Sequence, residues 1–225
     1  MRRHGWFIIP CFVFLIVGGA VLAIFPKGPL HLWINGWHSV YSDTFFAYYT
    51  CLGDGWAVVV LTVILLVVRF RTALIVAASN IVCSLVTQFL KHSVFPDALR
   101  PTAFFGGTAQ LHLVPGVDVY SYNSFPSGHA AVAFATCLAL AMSVESRTVK
   151  AILFVIAFTV AFSRVYLSEH FFGDMYAGAP IGLAVTLVIA AVVGRSGGPW
   201  LDRSLRNMRG WSGSDKTSGE RVSRV

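Results

Sequence analysis

The stretch Ser163-Arg164-Val165-Tyr166-Leu167-Ser168-Glu169-His170-Phe171-Phe172-Gly173-Asp174 sets an arginine, a histidine and two acids between long apolar runs. Ionisable groups at the edge of a hydrocarbon core are expensive to keep there, which makes them candidates for function. His170 and Asp174 stand four apart, so on a helical turn they share a face and the carboxylate can hold the imidazole. A carboxylate on one ring nitrogen fixes the tautomer and leaves the other as a nucleophile or base. Arg164 adds a planar fork suited to phosphate oxygens. Taken alone, the stretch would also fit a histidine and an aspartate solvated at a loop end.

Two more stretches carry compatible chemistry. Pro126-Ser127-Gly128-His129 reads as a helix start, with a capping serine and a glycine that lets a ligand approach the backbone. Amides at such a terminus favour anions. Lys91 and Arg100-Pro101 lie at and beyond the end of another apolar run, in the longest polar interruption before the tail, residues 91–125.

These stretches must be positioned by membrane helices. Hydrophobic residues make up 56% of the 225-residue chain and charged residues 12%, about half the share of a soluble domain. The net charge of +7 does not point to nucleic acid, because the excess lies in short turns and in the tail after Arg195, as a topology signal would. Cys11, Cys51, Cys83 and Cys137 show no metal-type pairing, and three of them fall inside apolar runs. Residues 6–25 are long enough for a first span, although Val21 and Ala23 would also pass as a signal-peptide cleavage site. The aromatic, mildly polar residues 26–55 suit the membrane interface.

Further spans are expected up to residue 68 and over residues 72–90, 127–143, 151–166 and 174–193. The expectation is therefore an all-α, polytopic bundle of six transmembrane helices in residues 1–194. A basic, Gly/Ser-rich and largely disordered tail over residues 195–225 would follow.

Six spans put both termini on one side, together with Arg2, Arg3, Arg69, Arg71, Arg147, Lys150, Arg195, Arg203, Arg206 and Arg209. By the positive-inside rule that side is cytoplasmic. The opposite side carries only Lys27, Lys91, Arg100 and Arg164, and the last three accompany the polar stretches above. Three cations offset by Asp174 leave two positive charges, a match for a phosphate monoester near its dianion. Without an anion, cations clustered at a low-dielectric edge repel one another. Glu169 could tune His170, but it reads more readily as a solvated loop acid. His31, His38 and His112 have no assignable partners, and His4 belongs to the basic terminus. Tyr120, Tyr122 and Asn123 suit loop packing or contact with a head group.

The three blocks together resemble the type 2 phosphatidic acid phosphatase superfamily, which also holds the vanadium haloperoxidases. Its pattern is K-x6-R-P, then P-S-G-H, then S-R-x5-H-x3-D. The second block matches at Pro126 to His129 and the third at Ser163 to Asp174. The first departs, with eight residues between Lys91 and Arg100 where the pattern has six. The resemblance implies that His170 is the nucleophile, forming a phosphohistidine, and that Asp174 orients it. His129 would protonate the leaving oxygen and later activate water. Lys91, Arg100, Ser127, Gly128 and Arg164 would cradle the phosphate.

Two histidines supply the nucleophile and the proton carrier that two-step hydrolysis needs. The cationic cradle stabilises the charge, so no metal and no cofactor is expected. The implied activity is a lipid phosphate phosphatase integral to the membrane, with the site facing away from the cytoplasm of a bacterial inner membrane. Lipid A, undecaprenyl diphosphate, phosphatidylglycerol phosphate and phosphatidic acid all remain open as substrates. The Phe-Pro-Asp-Ala-Leu-Arg-Pro and Ser-Glu-His-Phe-Phe stretches lean towards lipid A phosphatases. A phosphotransferase and a haloperoxidase are the competing readings within the superfamily, and an anion transporter is the competing reading outside it. Transporter sites, however, lie near the midplane rather than at one interface.

Overall fold

A computed structural model of the chain describes residues 5–195 and 198–205. Its elements are α1 (Gly5–Ile24), α2 (Lys27–Asn35), α3 (Val40–Tyr49), α4 (Gly55–Val68), α5 (Phe70–Phe89), α6 (Pro101–Phe105), α7 (Gly128–Ser143), α8 (Arg147–Tyr166) and α9 (Phe172–Arg195). No strand occurs among the described residues. By length and composition, α1, α5 with the turn after it, α8 and α9 can cross a membrane. The pair α3 and α4, bent by 57° at the break between them, passes the same test together, as a broken span or a re-entrant loop. With the shorter α7 these are the six helices that the hydropathy predicts, because in hydrocarbon a helix satisfies its own backbone polar groups.

The sixteen-residue α7 is short for a span, but it lies at the centre, packed between α5, α8 and α9. Its alanines 130, 131, 133, 135, 139 and 141 are all buried. They meet glycines on α9: a Cβ on Gly178 would overlap the Ser127 carbonyl, and one on Gly182 the Ala131 carbonyl. Between helices in lipid, where little hydrophobic force acts, such small-residue contact lets dispersion hold the pair together. Because α7 and α9 are pressed together, the starts of both helices, which carry Ser127 and Asp174, lie at the same end of the bundle. Ser127 N–H donates to the Asp174 carbonyl over 3.0 Å.

Phe14 docks α1 by packing against Phe134, Phe158, Phe172 and Tyr176 at centroid distances of 5.4–6.3 Å. Away from these contacts the helices expose Ile9, Ile16, Val59, Val63, Ile152 and Val188, the apolar outer surface expected of a bundle in a bilayer.

Residues 26–55, read from sequence as interfacial, fold as α2, α3 and a 3-10 turn at Thr50–Gly53, all at the end where α7 and α9 begin. The charged turn expected before residue 151 is mostly the first turn of α8, capped by Ser146, whose hydroxyl accepts from Val149 N–H. At the opposite end, the first residues expected in a disordered tail are folded. Leu201 is buried, Phe70 N–H donates to the Arg203 carbonyl, and Asp202 pairs with Arg69 at 2.5 Å and Arg71 at 3.0 Å. The remaining tail, with Arg206 and Arg209, and the N-terminal Arg2, Arg3 and His4 lie outside the described residues.

Candidate active site

All eight candidate residues come from the end of the bundle where α5 and α8 finish and α7 and α9 start. His170 follows α8 in a tight turn. Ser168 there has a positive φ of 58°, and the Glu169 and His170 N–H groups both donate to the Arg164 carbonyl. The His170 imidazole is 2% exposed. Its Nδ1 lies 3.3 Å from Asp174 Oδ2, which also accepts from Ser124 Oγ at 2.5 Å and Phe171 N–H at 2.9 Å. Asp174 is thereby fixed by three partners, and His170 Nε2 remains for chemistry. Burial pushes the His170 imidazole down to about 3; Asp174 opposes this, while Arg100 and Lys91 push the same way. The ring is therefore neutral near pH 7, as a nitrogen nucleophile must be.

His129 stands in the first turn of α7 behind Ser127, whose hydroxyl accepts from Ala130 N–H at 3.4 Å. Its Nε2 lies 2.9 Å from Asp54 Oδ1, at the junction into α4. Gly53 makes room for the ring: a Cβ there would stand 2.9 Å from His129 Cδ2 and 2.8 Å from Val160. Among the described residues no three His, Cys, Asp or Glu side chains are placed to share a metal ion, so His129, His170 and Asp174 do not form a ligand triad.

The cations reach the site from three elements. Arg164 projects from the last turn of α8. Arg100 lies in the long loop, whose two arms are tied by bonds from Arg100 N–H to the Ser121 carbonyl and from Ser124 N–H to the Ala98 carbonyl, each 2.9 Å. Lys91 lies in a π turn, Leu90–Val94, closed by Phe95 N–H on the Leu90 carbonyl at 2.8 Å. A π turn holds more residues than an α turn, and it takes up part of the long spacing between Lys91 and Arg100. Lys91 is in electrostatic contact with Arg100, Asp174, Arg164 and Glu169.

Glu169 departs from expectation. It is 1% exposed, not solvated, and its carboxylate joins Arg100 to Arg164, the latter at 3.2 Å. A turn between two membrane helices looked exposed in the sequence, but the long loop folds over it and buries it. Burial pushes the Glu169 carboxyl up, and Arg164 opposes this most strongly. The charge count changes accordingly: three cations face two carboxylates, Asp174 and Glu169, leaving one positive charge where the sequence suggested two. Arg164 Nε is buried with no hydrogen-bond partner. A donor stranded in that way fits an absent acceptor such as a phosphate oxygen.

Sequence reasoning also missed Asp54 and Ser124. Asp54 had one usable signal, a lone acid among apolar and aromatic residues. Ser124 had none. His31, His38 and His112 make contacts at the same end of the bundle. His31 Nε2 lies 3.1 Å from Ser168 Oγ, and His112 Nε2 lies 2.8 Å from Asp43 Oδ2 and stacks on His38. Tyr120 lies under the Arg100 guanidinium, and the Tyr122 carbonyl accepts from Arg100 Nε at 3.0 Å. From Gly55, the residue after Asp54, and Gln88 an apolar groove of about 470 Å³ runs between α4 and α5 past Val63 and Ile81, with Val132 of α7 in its wall.

The fold matches solved membrane proteins. The crystal structure of LpxE from Aquifex aeolicus superposes with a TM-score of 0.67 at 26% identity, covering 76% of this chain and 98% of that one. A transmembrane PAP2-type phosphatidylglycerolphosphate phosphatase from Bacillus subtilis superposes with a TM-score of 0.63 at 20% identity, covering 84% and 97%. The chain thus shares the fold of a membrane lipid phosphatase. No curated protein sequence matches it significantly. The PAP2 superfamily model matches residues 72–197, which hold all eight candidate residues, and the chain belongs to the PAP2 superfamily.

Proposed function

We propose that this protein is a metal-independent lipid phosphate phosphatase working through a phosphohistidine. The carrying observation is the buried His170, with Nδ1 held by Asp174 at 3.3 Å and with Arg100 and Lys91 in its field. Lys91, Arg100, Arg164 and the turn at Ser127 and Gly128 hold the phosphate, and Arg164 Nε donates to one of its oxygens. The lone pair of His170 Nε2 attacks phosphorus. An N–P bond forms, the P–O bond to the lipid breaks, and His129 gives its proton to the departing oxygen. His129 then takes a proton from water, whose oxygen attacks phosphorus. The N–P bond breaks, its electrons return to His170, and inorganic phosphate leaves.

An in-line displacement puts the leaving oxygen opposite the attacking nitrogen, hence towards His129. The groove that begins at Gly55 offers the lipid chain a place in the bilayer on that side. The substrate is accordingly a phosphorylated membrane lipid of the class containing lipid A, phosphatidic acid, phosphatidylglycerol phosphate and undecaprenyl diphosphate. Arg69, Arg71 and Arg147 lie at the far end of the helices, which supports a site on the periplasmic face of a bacterial inner membrane.

Acid-quenched labelling with phosphate-labelled lipid tests the scheme. His170→Ala should lose both turnover and label. His129→Ala should lose about a hundred- to ten-thousand-fold on a lipid monoester, the usual contribution of general acid help. It should keep a larger fraction of its activity on p-nitrophenyl phosphate, whose leaving group needs no proton. Label retained on His170→Ala would overturn the assignment.

A further inference from the structure

We infer that Asp54 is a positioning residue for the proton carrier, so that the site holds two histidine–carboxylate pairs, one for the nucleophile and one for the leaving group. This rests on the reading of His129 as the proton carrier. Asp54 lies before the stretch that the family model matches, residues 72–197, and outside the three sequence blocks.

Three observations carry it. Asp54 Oδ1 is 2.9 Å from His129 Nε2, and its other oxygen is fixed by Trp56 Nε1–H at 3.2 Å, so the carboxylate has one orientation. Gly53 lets the backbone before Asp54 lie against the imidazole, where a Cβ would collide with Cδ2. The groove between α4 and α5 begins at Gly55, the residue after Asp54, so the side proposed above for the lipid opens next to the pair.

With Nε2–H donating to Asp54, only Nδ1 is available to the reaction. In the first step the proton moves from Nδ1 to the lipid oxygen, and His129 becomes neutral with Nε2–H still on Asp54. In the second step Nδ1 takes a proton from water. Asp54 accepts from Nε2–H in both steps; it stabilises the imidazolium, excludes the other tautomer and aims Nδ1. Unlike Asp174, it sits opposite a ring that must gain and lose a proton in each turnover.

The test compares Asp54→Asn, Asp54→Glu, His129→Ala and the Asp54→Asn/His129→Ala double variant on a lipid phosphate monoester and on p-nitrophenyl phosphate. Asp54→Asn should lower kcat on the lipid about ten- to a hundredfold, a loss typical of removing a group that orients a reacting side chain, with KM little changed. The loss on the aryl ester should be several-fold smaller, and phosphoenzyme should build up on that substrate because water activation is slowed. In the His129→Ala background the same change should cost less than about threefold, since positioning residues act through their partner. Asp54→Glu, which keeps the charge, should recover part of the loss.

Equal losses on both substrates, or a full further loss in the double variant, would overturn the inference and leave Asp54 a structural residue. If Asp54→Asn does not fold, Asp54→Glu and its double variant with His129→Ala decide by the same comparison. A wild-type protein that releases no phosphate from any lipid would instead overturn the phosphatase reading itself.

Discussion

Glu169→Gln isolates the residue that the site's charge balance depends on. The Glu169 side chain is 1% exposed, between Arg100 at 9% and Arg164 at 12%. Removing one member of a buried ion pair costs about 3–5 kcal/mol, because the partner is left uncompensated. Two guanidiniums lose the same carboxylate here, but the amide oxygen of glutamine still accepts one hydrogen bond, worth about 1 kcal/mol. A net loss of about 3 kcal/mol follows, or roughly 6–12 °C in the unfolding midpoint for a chain of this size.

The same change raises the cradle from one uncompensated positive charge to two, so anion binding should strengthen. A tenfold gain needs about 1.4 kcal/mol, well below the ~4 kcal/mol between unit charges 4 Å apart at an effective dielectric of 20. Thermal unfolding of the detergent-solubilised protein, with and without inorganic phosphate, measures both effects. The variant should melt lower than wild type without phosphate and gain more from it. A midpoint within 2 °C of wild type, as estimated from the same scaling, with phosphate binding unchanged or weaker, would refute the role of Glu169 as the shared counter-charge of the two arginines.

Gly182→Ala would drive a methyl group into the Ala131 carbonyl. It should cost about 1–3 kcal/mol, as overpacking does, and lower the unfolding midpoint or the yield of folded protein more than Gly194→Ala, where the Cβ meets nothing within 4 Å. Burial holds His31 down to about 4 and His170 down to about 3 in the folded chain. Unfolded histidine titrates near 6.5, so the stability these rings contribute is complete above that pH and is lost as pH falls from about 6.5 towards 4. His31→Gln should flatten that decline by up to about 1.4 kcal/mol per pH unit, read from unfolding midpoints across the range. Turnover should survive a strong chelator and be inhibited by vanadate, which mimics five-coordinate phosphorus. Activity lost to the chelator and restored by a divalent ion would refute the metal-free scheme.

The sequence by itself determined the helical class, the six apolar segments and the blocks that contain the eight candidate residues. Each of these depends on short-range information: a hydropathy window of one helix length, a spacing such as the four residues from His170 to Asp174, or a Pro-Ser-Gly-His helix start. What the sequence left open is set by contacts between distant segments. Whether Glu169 is solvated depends on a loop 69 residues earlier folding back with Arg100. The partner of His129 lies 75 residues away at a helix junction, and no periodicity links the two. The start of the tail is ordered because Asp202 meets Arg69 and Arg71 across the bundle. Sequence spacing fixes which side chains share a helical face. Packing, through the glycines of α9 against the alanines of α7, fixes which faces meet, and with them the burial and charge balance of the site.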